Sequence, residues 1–80
     1  MKLPRDMDAP DLIKALSRIG YRVVRQTGSH IRLQTDSPKP HALTVPQHSP
    51  LKIGTLAAIL ADVATHRDIS REALLERLFG

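Results

Sequence analysis

The chain has 80 residues, 41% of them apolar, with no Trp, one Phe and one Tyr, so one small domain spanning 1–80 with an aliphatic core is expected. The absence of cysteine excludes disulfides, thiolate metal sites and a cysteine nucleophile, and fits a reducing compartment. Twelve Lys and Arg against eight Asp and Glu give a formal charge of +4, which favours an anionic partner.

The N-terminus lacks the apolar stretch of a signal peptide, and no run approaches the roughly 20 residues that span a bilayer, so a cytoplasmic protein without a membrane is expected. Asp8 then reads as an N-cap, with Asp11 three residues on as an approximate capping box and Pro10 tolerated in the first turn. Leu12, Ile13, Leu16 and Ile19 form one apolar stripe before Gly20, which predicts a helix over 9–19.

Residues 21–26 are rich in β-branched and aromatic side chains, and 30–35 alternate polar with apolar, so both read as strands. With Thr27-Gly28 as the hairpin loop, Gln26 faces Ser29, Arg25 faces His30, Val24 faces Ile31 and Val23 faces Arg32. Val24, Ile31 and Leu33 then point to the core, and Arg25, His30 and Arg32 share the opposite face with Tyr21 and Val23. Residues 36–40 are a loop by composition, and 41–45 form a third strand with Leu43 and Val45 inward.

Pro46 and Pro50 bracket the next loop. A helix over 52–64 presents Ile53, Leu56, Ala57, Leu60 and Val63 on one side, despite Gly54. Ser70 caps a last helix over 71–78, with Leu74, Leu75, Leu78 and Phe79 as an apolar patch that either closes the core or binds a partner. The order is helix, three-stranded antiparallel meander, helix, plus an extra C-terminal helix. Helices on one face of such a sheet make an α+β fold with the other sheet face open.

The positive charge is concentrated in the middle of the sequence. Lys14, Arg18, Arg22, Arg25, Arg32, Lys39 and Lys52 fall in a stretch where Asp36 is the one acid between Asp11 and Asp62. At its centre is Gly28-Ser29-His30, a turn that ends on an imidazole, the side chain that gives and takes protons near neutrality. Gly28 suits positive φ in the turn, Ser29 bonds either a phosphate or, more simply, the turn backbone, and His30 is the candidate catalytic residue.

Several segments together resemble the HicA family of toxins: Lys2-Leu3-Pro4-Arg5, Leu16-Ser17-Arg18-Ile19-Gly20-Tyr21, Arg25-Gln26-Thr27-Gly28-Ser29-His30, Leu43-Thr44-Val45-Pro46 with His48, and Leu51-Lys52-Ile53-Gly54-Thr55-Leu56. The resemblance implies a double-stranded-RNA-binding-domain-like fold and a metal-independent endoribonuclease. Such a toxin cleaves mRNA without a cofactor, and a HicB-like antitoxin holds it inactive. It also implies that the histidine of the Gly-Ser-His turn, here His30, is catalytic. True double-stranded-RNA-binding domains open their second helix with a lysine cluster, whereas Lys52 stands alone here, so single-stranded regions of mRNA are the expected substrate.

The chemistry follows from RNA itself, whose 2′-hydroxyl attacks the adjacent phosphate once its proton is removed. Neutral His30 serves as general base, a contribution typically worth about 10² to 10⁴ in rate. Arg25 and Arg32 bind the phosphate and stabilise its growing charge, with Ser29 and Lys52 as further phosphate contacts. Lys52 near a helix start is unfavourable to the helix dipole, which favours a ligand role.

His48 is the candidate for the second proton transfer, with water as the alternative, although a loop histidine bonded to backbone is its simpler reading. His41 at the sheet rim and His66 in an exposed connection read as surface residues. The four histidines show no metal-ligand spacing such as His-x-x-x-His, so no metal is expected. The alternative function is a non-catalytic RNA-binding module on the same basic face. Single-strand binders stack bases on aromatic rings, and only Tyr21 is available for that. A helix-turn-helix DNA binder needs two adjacent helices joined by a short turn, and strands separate the first helix from the second, which disfavours it.

Overall fold

The computed structural model describes residues 3–80, so Lys2 of the first HicA-like segment lies outside the described residues. The elements are α1 (Ala9–Ser17), β1 (Arg22–Thr27), β2 (His30–Thr35), β3 (His41–Pro46), α2 (Ile53–Arg67) and α3 (Arg71–Phe79). The strands form one antiparallel sheet in the order β1-β2-β3. This is the expected double-stranded-RNA-binding-domain-like α+β architecture with an added helix. No helix among the described residues is long and apolar enough to cross a membrane.

Alternation along the strands decides which sheet face the helices cover. Ile31 and Leu33 of β2 and Leu43 and Val45 of β3 are buried in one cluster with Leu12 and Leu16 of α1 and Leu56, Leu60 and Val63 of α2, and Thr35 of β2 is buried as well. Leu74, Leu75 and Leu78 of α3 are at most 1% exposed, so the C-terminal apolar patch closes the core. Ser70 caps α3 as expected, its hydroxyl accepting from the Ala73 N–H at 3.0 Å.

Helix α1 is shorter than its apolar stripe suggests. It ends at Ser17, and the chain turns through Ile19 and Gly20, whose φ is +105°. Asp8 is at the N-cap position, but its side chain makes no capping bond, so the capping box is not formed. Helix α2 runs three residues past the expected end, to Arg67, where Asp68 in the left-handed conformation stops it. Its buried face includes Ile59, whereas Ile53 is 52% exposed and Ala57 is half-buried.

The hairpin register also differs from the expected one. The loop is Gly28-Ser29, so Thr27 faces His30, Gln26 faces Ile31 and Arg25 faces Arg32. An irregularity at Val24 then brings Val23 opposite Leu33 and Arg22 opposite Gln34. Val24 is therefore no core residue. It and Val23 are 46% and 50% exposed on an edge strand whose six residues are all exposed. Two residues expected on the open face leave it: Val23 is opposed to the inward Leu33, and Tyr21 is 2% exposed with its hydroxyl 2.7 Å from His41 Nδ1.

Candidate active site

The Gly28-Ser29 turn is built for a sharp reversal at its first central residue. Gly28 has φ +57°, in the left-handed region, as in a type II′ hairpin turn. A Cβ there would meet nothing within 4 Å, so backbone conformation rather than crowding calls for glycine. The turn is anchored from outside the hairpin: the Ser29 carbonyl accepts from the Gln47 N–H at 2.6 Å, and Gln26 Nε2 donates to Gln47 Oε1 at 3.0 Å. His30 follows as the first residue of the central strand, held by pairing to Thr27 on one side and Pro46 on the other.

Side chains directly opposite each other in an antiparallel pair share a face, so Arg25, Thr27, His30, Arg32 and Thr44 converge on the uncovered side of the sheet. These five residues line one shallow concavity of about 210 Å³. Arg25 and Arg32 are opposed across the strands, both exposed, and neither has an ion-pair partner among the described residues. The nearby acid does not neutralise them, since Asp36 pairs with Arg22 at 3.3 Å. Arg32 Nη1 instead donates to Thr44 Oγ1 at 3.2 Å. An unneutralised guanidinium pair beside an imidazole has the charge and donors that could take a phosphate.

The other expected site residues lie outside this concavity. Ser29 is exposed in the turn and Lys52 is exposed at the N-cap position of α2. His48 is exposed beyond β3. Its bonds are backbone ones, its N–H donating to the Pro46 carbonyl at 2.9 Å and its carbonyl accepting from Ala9 N–H at 3.4 Å. Two lining residues, Thr27 and Thr44, are not among the expected site residues. Alternation with the inward Leu43 and Val45 points Thr44 to the open face, whereas Thr27 falls within the expected hairpin loop and belongs instead to β1.

His41 and His66 are not free surface residues. Their rings stack 4.3 Å apart at 16°, and His41 Nε2 is 3.3 Å from Asp62 Oδ1 while its Nδ1 meets Tyr21. Burial, then the neighbouring His41, lowers the His66 pKa below the usual imidazole value, with a backbone hydrogen bond at Ser37 acting in the opposite direction. The Tyr21 hydroxyl is pushed up to about 12 by burial and by the Asp62 carboxylate. No group of three or more His, Cys, Asp or Glu among the described residues is arranged to hold a metal ion.

A helix-backed antiparallel sheet with an exposed basic, histidine-bearing face defines an α+β protein with a double-stranded-RNA-binding-domain-like fold. The family model for the HicA toxin of bacterial toxin–antitoxin systems matches residues 9–64, from the start of α1 to near the end of α2, and the chain belongs to that family. It is thus the toxin of a toxin–antitoxin pair, with a cognate antitoxin as partner, in a family whose members are generally ribonucleases. Neither the curated proteins nor the solved structures contain a match to the chain.

Proposed function

We propose that this toxin is an endoribonuclease that cleaves mRNA on the open sheet face, with His30 as general base. The observation that carries the reading is the concavity in which His30 stands beside two opposed, unneutralised arginines. An RNA phosphodiester seated there places its negative oxygens on Arg25 and Arg32. His30 removes the 2′-hydroxyl proton, and the 2′-oxygen forms a bond to phosphorus. The bond from phosphorus to the 5′-oxygen breaks, leaving a 2′,3′-cyclic phosphate. The departing 5′-oxygen takes its proton from His48 or from water.

Ser29 and Lys52 extend the phosphate contacts along the strand, and Gly28 shapes the turn that aims His30. A purely RNA-binding module is less well supported, because burial of Tyr21 leaves no Phe, Tyr or Trp on the open face for bases to stack on. The antitoxin, of HicB type, is expected to present acidic groups to the same basic face.

The test is cleavage of a defined single-stranded RNA in EDTA, with product ends read by mass spectrometry. Cyclic phosphate ends support the reading. Intact RNA, or cleavage abolished by EDTA, contradicts it. Growth arrest on expression, relieved by co-expressing the adjacent open reading frame, tests the toxin–antitoxin pairing.

A further inference from the structure

Arg32 stands on the central strand with unlike neighbours on its two sides. Across β1 it faces Arg25, a like charge. Across β3 it faces Thr44, whose Oγ1 accepts its Nη1–H at 3.2 Å. The two influences act in one direction, since repulsion turns the guanidinium away from β1 and the hydrogen bond holds it toward β3. Strand β3 offers no other group for this. Its side chains on the open face are Ala42, Thr44 and Pro46, and only the threonine can accept a hydrogen bond.

We infer that Thr44 is a positioning residue for the cleavage reaction, holding the Arg32 guanidinium apart from that of Arg25 so that an RNA phosphate enters between them; this rests on the ribonuclease reading above. Without the bond, an exposed arginine samples many rotamers, and each cleavage event must first reorder it.

The test is a double-mutant cycle in the full chain, read by RNA cleavage in EDTA. Thr44→Val keeps the β-branched shape and removes the oxygen, Thr44→Ser restores it, and Arg32→Gln removes the group being positioned. Thr44 is exposed, so the thermal midpoint of Thr44→Val should match wild type. The expected result is a fall of at least fivefold in kcat/KM for Thr44→Val, carried mainly by kcat, with Thr44→Ser within twofold of wild type. In the Arg32→Gln background the same Thr44→Val change should alter kcat/KM by less than twofold.

The salt dependence of cleavage provides a second readout. Thr44→Val should leave the slope of log rate against log salt unchanged, and Arg32→Gln should flatten it by the loss of one phosphate contact. Equal losses in both backgrounds, or a Thr44→Val variant within twofold of wild type, would overturn the inference. His30→Ala separates the two claims. If it is inactive while Thr44→Val is normal, only the positioning role fails. If His30→Ala cleaves normally, the ribonuclease reading fails and the positioning role with it.

Discussion

Replacing Arg25 with Gln should make the protein more stable while making it a worse ribonuclease. Arg25 and Arg32 are opposed across β1 and β2, both are exposed, and no carboxylate pairs with either among the described residues. Like charges directly opposite on a sheet destabilise by about 0.2–1 kcal/mol, and a mid-range value of about 0.5 kcal/mol applies to an exposed pair. For a chain of this length that corresponds to a rise of about 2–4 °C in Tm. The cost is Coulombic, so it should shrink as added salt shortens the screening length from about 30 Å at 0.01 M to about 3 Å at 1 M.

The assay is thermal unfolding of wild type and Arg25→Gln at low and high NaCl, then with added phosphate. Wild type should melt below the variant at low salt and converge on it at high salt. It should also gain more from phosphate, because an anion that binds the folded state stabilises it by mass action. RNA cleavage should fall in the same variant. A variant less stable than wild type at low salt, or a difference that salt leaves untouched, would refute the idea that this face carries an uncompensated charge pair.

Stability should also depend on pH through His66, whose pKa in the folded chain is lowered by burial and by His41. The unfolded imidazole, near its ordinary value of about 6.5, then binds more protons than the folded one below that pH. Stability is therefore full above about pH 6.5 and lost as pH falls toward the lower folded value. Thermal midpoints from pH 7.5 to 5 should fall more steeply for wild type than for His66→Gln, and parallel curves would contradict the assignment. Leu75, 1% exposed in α3, should cost about 2–5 kcal/mol when cut to Ala, seen as a large drop in Tm or loss of folding. A near-neutral Leu75→Ala would mean that α3 is no part of the core.

The grouping of Arg25, His30 and Arg32 was legible in the sequence even though the expected register was not. Moving the loop from Thr27-Gly28 to Gly28-Ser29 changes the partner of Arg25 from His30 to Arg32, a shift of two residues along β2. Strand side chains alternate with period two, so such a shift preserves every face. The irregularity at Val24 had no such protection. It sits between Val23 and Arg25 and exposes a valine that alternation alone assigns to the core.

Tyr21 and His41 escaped for a different reason. Each is an amphipathic ring whose burial depends on a partner distant in sequence, the tyrosine hydroxyl on His41 and the imidazole on Asp62 and His66. No local pattern reports such a contact. The aliphatic faces of α1 and α3 were readable because helical spacing specifies them, as was that of α2 except that Ile59 rather than Ile53 is buried; the helix ends shifted with the Asp68 stop and the turn through Gly20.

The central claim is that His30 performs the proton transfer that starts RNA cleavage, and the most direct measurement is the cleavage rate of His30→Ala in EDTA beside its unfolding curve. His30 is exposed at the start of β2, so the variant should unfold like wild type. Its cleavage rate should fall by about 10²-fold or more, as expected when a general base is removed. A folded His30→Ala that cleaves RNA within a few-fold of wild type would contradict the account.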